Sequence, residues 1–299
     1  MKIVFLLLLL AFVYMFPVLR CMVTHPVSSA GYTVVDLFFY LLHRAMHLCP
    51  YGYIRAYTGL FGQGKTLSAV HFCTGLYRRY NDKKVWCGRR KKFVTQKIHI
   101  ISNVELKTVP YEKFVSLKQL VYVAQNMQEQ DDLNDTLTVT IALGDELSVQ
   151  LNSRSFKNNV DALFLNTLLT CRHYRMGLIY TAQRFCQVDA LLRQVTSTVI
   201  ECNKFLRYQS QSFYNAWDLE NAGTPSMVRP LRRSCWFVRN RDYKAYDTFA
   251  TVGNLSKACV DGDMLTPEEI LALQCSNGAN MDAVTRPSKK YIRRARHKK

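Results

Sequence analysis

The chain has 299 residues, 48% of them apolar, which is enough for one large domain or two small ones with a sizeable core. Forty Lys and Arg against 22 Asp and Glu leave a formal charge of +18. The excess is clustered, so it favours a polyanionic partner, nucleic acid or an anionic membrane face, over solubility alone. The ten cysteines include no C-x-x-C pair and no Cys/His cluster of zinc spacing, and a chain of this length is no small disulfide scaffold. They read as reduced thiols, mostly in the core.

The amino terminus, MKIVFLLLLLAFVYMFPVLR, carries no charge from Ile3 to Leu19 and shows no polar face. That length just suffices for a helix to cross a bilayer, so residues 1–24 are expected to form a transmembrane anchor. A cleaved signal peptide is the competing reading, with Lys2 as its charged start and Ser28-Ser29-Ala30 as its cleavage site. The next stretch, GYTVVDLFFYLLHRAMHLC, is apolar but interrupted by Asp36, His43, Arg44 and His47. It suits an interfacial helix or packed connector over residues 25–50 better than a second crossing.

Residues 53–72, YIRAYTGLFGQGKTLSAVHF, satisfy G-x-x-x-x-G-K-[ST] with Gly59, Gly64, Lys65 and Thr66. A short apolar strand precedes the loop, and a run with apolar residues at Leu67, Val70, Phe72 and Leu76 follows it at helical spacing. Gly59, Gly62 and Gly64 would let the backbone wrap the phosphates of ATP, and the helix start adds its dipole. Lys65 would reach the terminal phosphates and Thr66 would hold Mg²⁺. The bland reading is a glycine-rich turn with a solvated lysine.

A second Mg²⁺ oxygen is expected from TLTVTIALGDELS. Leu137 to Leu143 read as a buried parallel strand ending in Gly144, Asp145 and Glu146. Asp145 would join the Mg²⁺ shell, and Glu146 would serve as base or orient the attacking water. A third strand, residues 176–183, ends in Gln183, whose amide both donates and accepts and so could read a γ-phosphate.

Two further stretches add a resemblance. LLTCRHYRMGLIYTAQRFCQVDALLRQVTSTVIEC, residues 168–202, supplies Arg172, His173, Gly177, Thr181, Gln183, Val188 and Asp189. IHIISNVEL, residues 98–106, reads as a strand ending in asparagine. Together with the three strand ends, these resemble the zonula occludens toxin-like family of filamentous-phage assembly ATPases, on the FtsK/HerA branch of the P-loop NTPases. The similarity spans about residues 52–250. It implies an α/β fold with a mainly parallel sheet between helices, ATP hydrolysis with Mg²⁺, and a homo-oligomeric ring. A neighbouring subunit's arginine would complete each site, with Arg154, Arg172 and Arg193 as the candidates. It also implies DNA, single-stranded favoured, or phage assembly proteins as partners, at a host inner membrane with the ATPase domain facing the cytoplasm. One departure is that the long apolar run precedes the ATPase region here.

Residues 78–92, RRYNDKKVWCGRRKK, place Trp86 among basic residues. Trp86, Arg89, Arg90, Lys91 and Lys92 would suit a single-stranded nucleic acid, through stacking and phosphate contacts, or anionic lipid. Further on, RSCWFVRNRDYKAYDTF reads as a hairpin turning at Asn240-Arg241-Asp242. TPEEILALQC reads as a helix capped by Thr266, ahead of a basic tail. The expected organisation is an anchor at 1–24, a connector at 25–50, an ATPase domain at 51–260, and a capped helix with basic tail at 261–299. The rival is a membrane adaptor that binds nucleic acid and carries a vestigial, non-hydrolysing P-loop.

Overall fold

A computed structural model describes residues 12–114, 117–147, 171–222 and 227–247. The chain divides into two compact units, residues 1–48 with 83–95, and residues 49–82 with 96–299.

The first unit begins with helical residues 12–15, then helix α1 (Pro17–Thr24) and helix α2 (Pro26–Leu42). One continuous helix over Ile3–Leu19 is not what forms in the described part. Phe16 is extended and Pro17 starts a new helix, since proline has no N–H to continue the previous one. Pro26 restarts the chain in the same way after His25. Among the described residues no helix is long and apolar enough to cross a membrane, and residues 1–11 lie outside them. The apolar stretch after it is helical over Pro26–Leu42, and none of those residues is buried. The unit is completed by strand β2 (Lys84–Cys87), paired antiparallel with the first residues of β3 (Lys92–Ser102). Residues 78–92 are therefore not one loop. Arg78 and Arg79 end a helix, β2 follows, and residues 88–91 form a hairpin turn.

The second unit is a mixed sheet covered by helices. Its strands are the remainder of β3, then β1 (Tyr53–Thr58), β4 (Glu112–Lys113), β5 (Thr136–Gly144), β6 (Met176–Ala182), β7 (Thr198–Phe205), β8 (Tyr208–Asn215) and β9 (Arg232–Phe237). They lie in the order β3-β5-β6-β1-β7-β8-β9, with β4 beside β3. The centre, β5-β6-β1-β7, is parallel; β7-β8-β9 is an antiparallel flank. Parallel strands covered on both faces read as unbroken apolar runs, and every residue of β6 is buried.

Alternation along β1 assigns the faces. Ile54 and Ala56 join a core with Leu120 and Val123 of helix α4 (Leu117–Asn134). Tyr53 points the other way and meets Phe72 of helix α3 (Lys65–Tyr80) edge-on. Three short helices complete the described unit, α5 (Ala190–Val195), α6 (Ala216–Asn221) and α7 (Asn240–Tyr243). The last corrects the expected hairpin turn at 240–242. The Arg239 N–H donates to the Asp242 carboxylate at 2.8 Å, a capping contact that nucleates a helical turn. The hairpin turn lies instead between β7 and β8. The expected helix at Thr266 and the basic tail lie outside the described residues.

Five of the described cysteines, Cys49, Cys73, Cys87, Cys171 and Cys202, are buried free thiols, whereas Cys21, Cys186 and Cys235 are exposed free thiols.

Candidate nucleotide-binding site

Strand β1 ends at Thr58, the loop 59–64 follows, and α3 starts at Lys65. Two glycines make this turn possible. Gly59 has φ +148°, and a β-carbon there would stand 2.7 Å from the Cys202 carbonyl. Gly64 has φ +74°, and a β-carbon there would stand 2.3 Å from Gln209 Oε1. Gly62 has open space around it but also stands in left-handed backbone, φ +75°. No side chain caps α3, and its first turn holds no acidic residue, so its leading N–H groups are available to an anion.

Behind the loop, the β7–β8 hairpin acts as a brace. The Lys204 N–H donates to Gln63 Oε1 at 2.9 Å, and Gln209 Nε2 donates to the Gln63 carbonyl at 2.9 Å. Gln209 is fully buried. Nothing in the sequence marked Gln63 or Gln209, since a glutamine in an antiparallel flank carries no motif. Cys202 lies in the same place, and burial pushes its thiol up to about 11.

Lys65 is mostly buried and its Nζ donates to the Leu60 carbonyl at 3.3 Å, which folds the ammonium back over the loop. Thr66 Oγ1 donates to Asp145 Oδ1 at 2.8 Å. This contact joins the start of α3 to the end of β5, although β6 lies between β5 and β1 in the sheet. Thr181 of β6 supplies the bridge: its hydroxyl donates to Asp145 Oδ1 at 2.6 Å and accepts from the Glu146 N–H at 2.8 Å. Asn103, just beyond β3, exchanges two hydrogen bonds with the Asp145 backbone, at 2.7 and 2.9 Å. The ends of β3, β5 and β6 and the start of α3 thus converge on Asp145, with Thr66 and Thr181 on its carboxylate and Asn103 on its backbone. Thr181 and Asn103 stood in the motifs quoted from the sequence, but without a role at the site.

Glu146 sits in left-handed backbone, φ +48°, an uncommon conformation for a residue with a side chain. Its carboxylate is half-buried and makes no hydrogen bond or ion pair among the described residues. Gln183 follows β6 and accepts the Gly59 N–H on its carbonyl at 3.2 Å. Beside it opens a cleft of about 870 Å³, lined by Gly59, Gln63, Gln183, Arg184, Glu201 and Tyr214 among others. That volume suits a nucleoside-sized ligand.

The candidate arginines separate. Arg193 is held within its own chain by the Cys186 carbonyl at 2.9 Å and Glu220 at 3.4 Å. Arg172 is exposed and lies against Gly52, at the end of the sheet away from the loop. Arg154 lies outside the described residues.

Trp86 belongs to the first unit. The His43 imidazole stacks on its indole at 4.7 Å and 6°, and Phe93 meets it edge-on at 5.2 Å. One indole face is therefore occupied. Arg89, Lys91 and Lys92 are exposed and Arg90 is half-buried.

The residues present fit a nucleotide with its metal. The loop leaves no room for a side chain at Gly64, the helix start is uncapped, and a lysine and a hydroxyl–carboxylate pair stand at its head. Bound Mg²⁺ would take oxygens from Thr66 and Asp145 and neutralise phosphate charge. Lys65 would bind phosphate, and Glu146 and Gln183 stand on the neighbouring strand ends that would face it.

No protein-family model matches the chain, and no curated protein matches it. Among solved structures it is similar to the N-terminal domain of zonular occludens toxin from Neisseria meningitidis, with 17% identity, 66% of this chain and 100% of that one covered, and TM-score 0.41. It is similar to B204, the DNA-packaging ATPase of Sulfolobus turreted icosahedral virus, with 12% identity, coverage of 64% and 100%, and TM-score 0.38. It is similar to EccC (ATPases 2 and 3) of Thermomonospora curvata, with 9% identity, coverage of 70% and 41%, and TM-score 0.37.

Proposed function

We propose that this chain is a membrane-anchored ATP hydrolase that powers virion assembly or extrusion, or the translocation or packaging of DNA. The observation that carries hydrolysis is the 2.8 Å hydrogen bond from Thr66 Oγ1 to Asp145 Oδ1. It joins the end of a phosphate-type loop to a buried carboxylate on a separate strand, the pair of oxygens that a Mg²⁺ ion beside bound phosphate would use. A glycine-rich turn with a solvated lysine requires neither a buried Lys65 nor a hydrogen-bond network that ties three strand ends and the start of α3 to Asp145.

The chemistry assigned to each residue is simple. Lys65 and the first N–H groups of α3 bind phosphate oxygens. Thr66 and Asp145 hold the metal. Glu146 accepts a proton from the attacking water or orients it, and Gln183 reads the terminal phosphate. Thr181 holds Asp145 and the Glu146 backbone in place. In a ring, an arginine from the next subunit completes the site, and Arg172 suits that role better than Arg193, which is already paired.

The cargo and place follow the resemblance of the motifs and the charge of +18. DNA or phage assembly proteins are the partners, and a host inner membrane is the location. The ATPase unit faces the cytoplasm, where ATP is found, and residues 1–24 supply attachment. The test is ATP turnover by the full chain, with and without single- and double-stranded DNA. DNA-stimulated hydrolysis is the expected result. Nucleotide binding with no turnover in any condition would favour a non-hydrolysing adaptor.

A further inference from the structure

We propose that helix α2 and the β2–β3 hairpin together form a binding surface for an anionic lipid leaflet, with the apolar half of α2 lying among the acyl chains and the hairpin turn on the headgroup phosphates. The inference deepens the membrane part of the proposed function and rests on it.

All of the structure that carries it lies in the first unit. Helix α2 buries none of its residues. Its last six, Leu37, Phe38, Phe39, Tyr40, Leu41 and Leu42, are each 46–61% exposed. Six consecutive residues cover every side of a helix, so this is an apolar cylinder and not an amphipathic one. A contiguous exposed apolar surface of that kind marks an interaction site. Like every described helix, it is not long and apolar enough to cross a membrane.

What adjoins the cylinder names the cover. The helix ends in His43, which accepts the Trp86 N–H on its carbonyl at 3.3 Å and stacks on the indole. Phe93, directly opposite Trp86 in the hairpin, is 45% exposed. Beyond this aromatic pair comes the turn with Arg89, Arg90 and Lys91, followed by Lys92. Along the unit the order is apolar, aromatic, basic. That order matches a leaflet, in which acyl chains give way to an interface favoured by tryptophan and then to anionic headgroups. Nucleic acid fits less well. It would use the basic turn, but it offers nothing for the apolar helix, and His43 already occupies one face of the only indole in the unit.

The experiment uses the full chain reconstituted into vesicles of phosphatidylglycerol and phosphatidylethanolamine that contain a lipid with a photoreactive acyl chain. Adducts are mapped to peptides by mass spectrometry. Adducts are expected on residues 34–42. Replacing Arg89, Arg90, Lys91 and Lys92 together by Ala should lower them at least tenfold, and replacing only the two arginines by Lys should restore them. Adducts absent from 34–42, or unchanged in the quadruple variant, would overturn the proposal. So would a quadruple variant whose salt slope for single-stranded DNA falls by about 3 units while its lipid adducts stay the same. Retention of the chain in vesicle pellets without adducts on 34–42 would leave attachment through residues 1–24 standing and remove this surface alone.

Discussion

Gln209 and Gly64 are matched so closely that a β-carbon on the glycine would stand 2.3 Å from the glutamine Oε1. The pair couples the antiparallel flank of the sheet to the phosphate loop, because the same glutamine also donates to the Gln63 carbonyl. Gly64→Ala should therefore weaken binding of an ATP analogue at least ~10-fold, through left-handed backbone strain of about 1–2 kcal/mol together with the clash. Gln209→Ala alone should loosen the loop more mildly. The double variant should bind better than the sum of the single effects predicts, since removing the glutamine makes room for the methyl. Calorimetric titration of all four proteins closes the cycle, and strict additivity would show that the contact does not shape the loop.

Thr181→Val removes a donor to Asp145 and an acceptor for the Glu146 N–H without changing the side-chain volume much. A hydrogen bond to a charged group is worth about 1.5–3 kcal/mol, so kcat should fall roughly 10- to 100-fold. Thr181 is buried and is assigned no contact with the nucleotide, so KM for ATP should change little. A variant whose KM rises while kcat holds would move Thr181 from positioning to binding.

Glu146→Gln keeps size and shape and removes the basic oxygen. It should bind Mg-ATP normally and turn it over at least ~100-fold more slowly, within the range for loss of a general base. Lys65→Ala should lose both binding and turnover. Normal hydrolysis by Glu146→Gln, measured by phosphate release, would place the base elsewhere.

These variants draw on residues that were legible to different degrees. The loop, its helix and the end of β5 were readable because glycines, a lysine and an apolar run ending in Asp-Glu carry local signals. The expected helical run from Lys65 to Tyr80 is the helix that forms. The brace by Gln63 and Gln209 was not readable, since it depends on pairing between strands far apart in sequence. The break at Phe16–Pro17 within the expected anchor was not readable, because hydropathy averages over Pro17, whereas the backbone cannot. The turn at 240–242 was misread because the Arg239–Asp242 capping contact outweighs the turn propensity of Asn and Asp.

Asp131 is a carboxylate whose role is structural. It is almost fully buried and accepts from Thr136 Oγ1 at 2.8 Å, from Thr138 N–H and Oγ1 at 2.7 Å each, and from Arg175 at 2.9 Å. Asp131→Asn would leave the arginine charge without its counter-ion and turn an amide toward donors. It should destabilise the fold by about 3–5 kcal/mol, the usual cost of breaking a buried pair. ATP affinity of the remaining folded protein should be unchanged. Urea midpoints and analogue binding, measured on the same samples, separate the two effects.

The buried thiols set a limit at alkaline pH. Burial pushes Cys49 and Cys73 up to about 12 and Cys202 up to about 11, from an ordinary 9.0. In the unfolded chain each would ionise near its ordinary value. A group whose pKa is raised by folding holds its proton more tightly in the native state. Its contribution is therefore fully present below pH 9.0 and is lost as pH rises through 11 and 12. Urea midpoints should be level below pH 9.0 on account of these groups and should fall from there up to about pH 12. At pH 8 the same neutral thiols should resist iodoacetamide in the native protein, while the exposed Cys21, Cys186 and Cys235 react. Mapping the modified peptides by mass spectrometry tests this directly. Rapid alkylation of Cys202 under native conditions would mean that the brace behind the phosphate loop opens to solvent, and it would weaken the case that Gln209 and its hairpin hold that loop in shape.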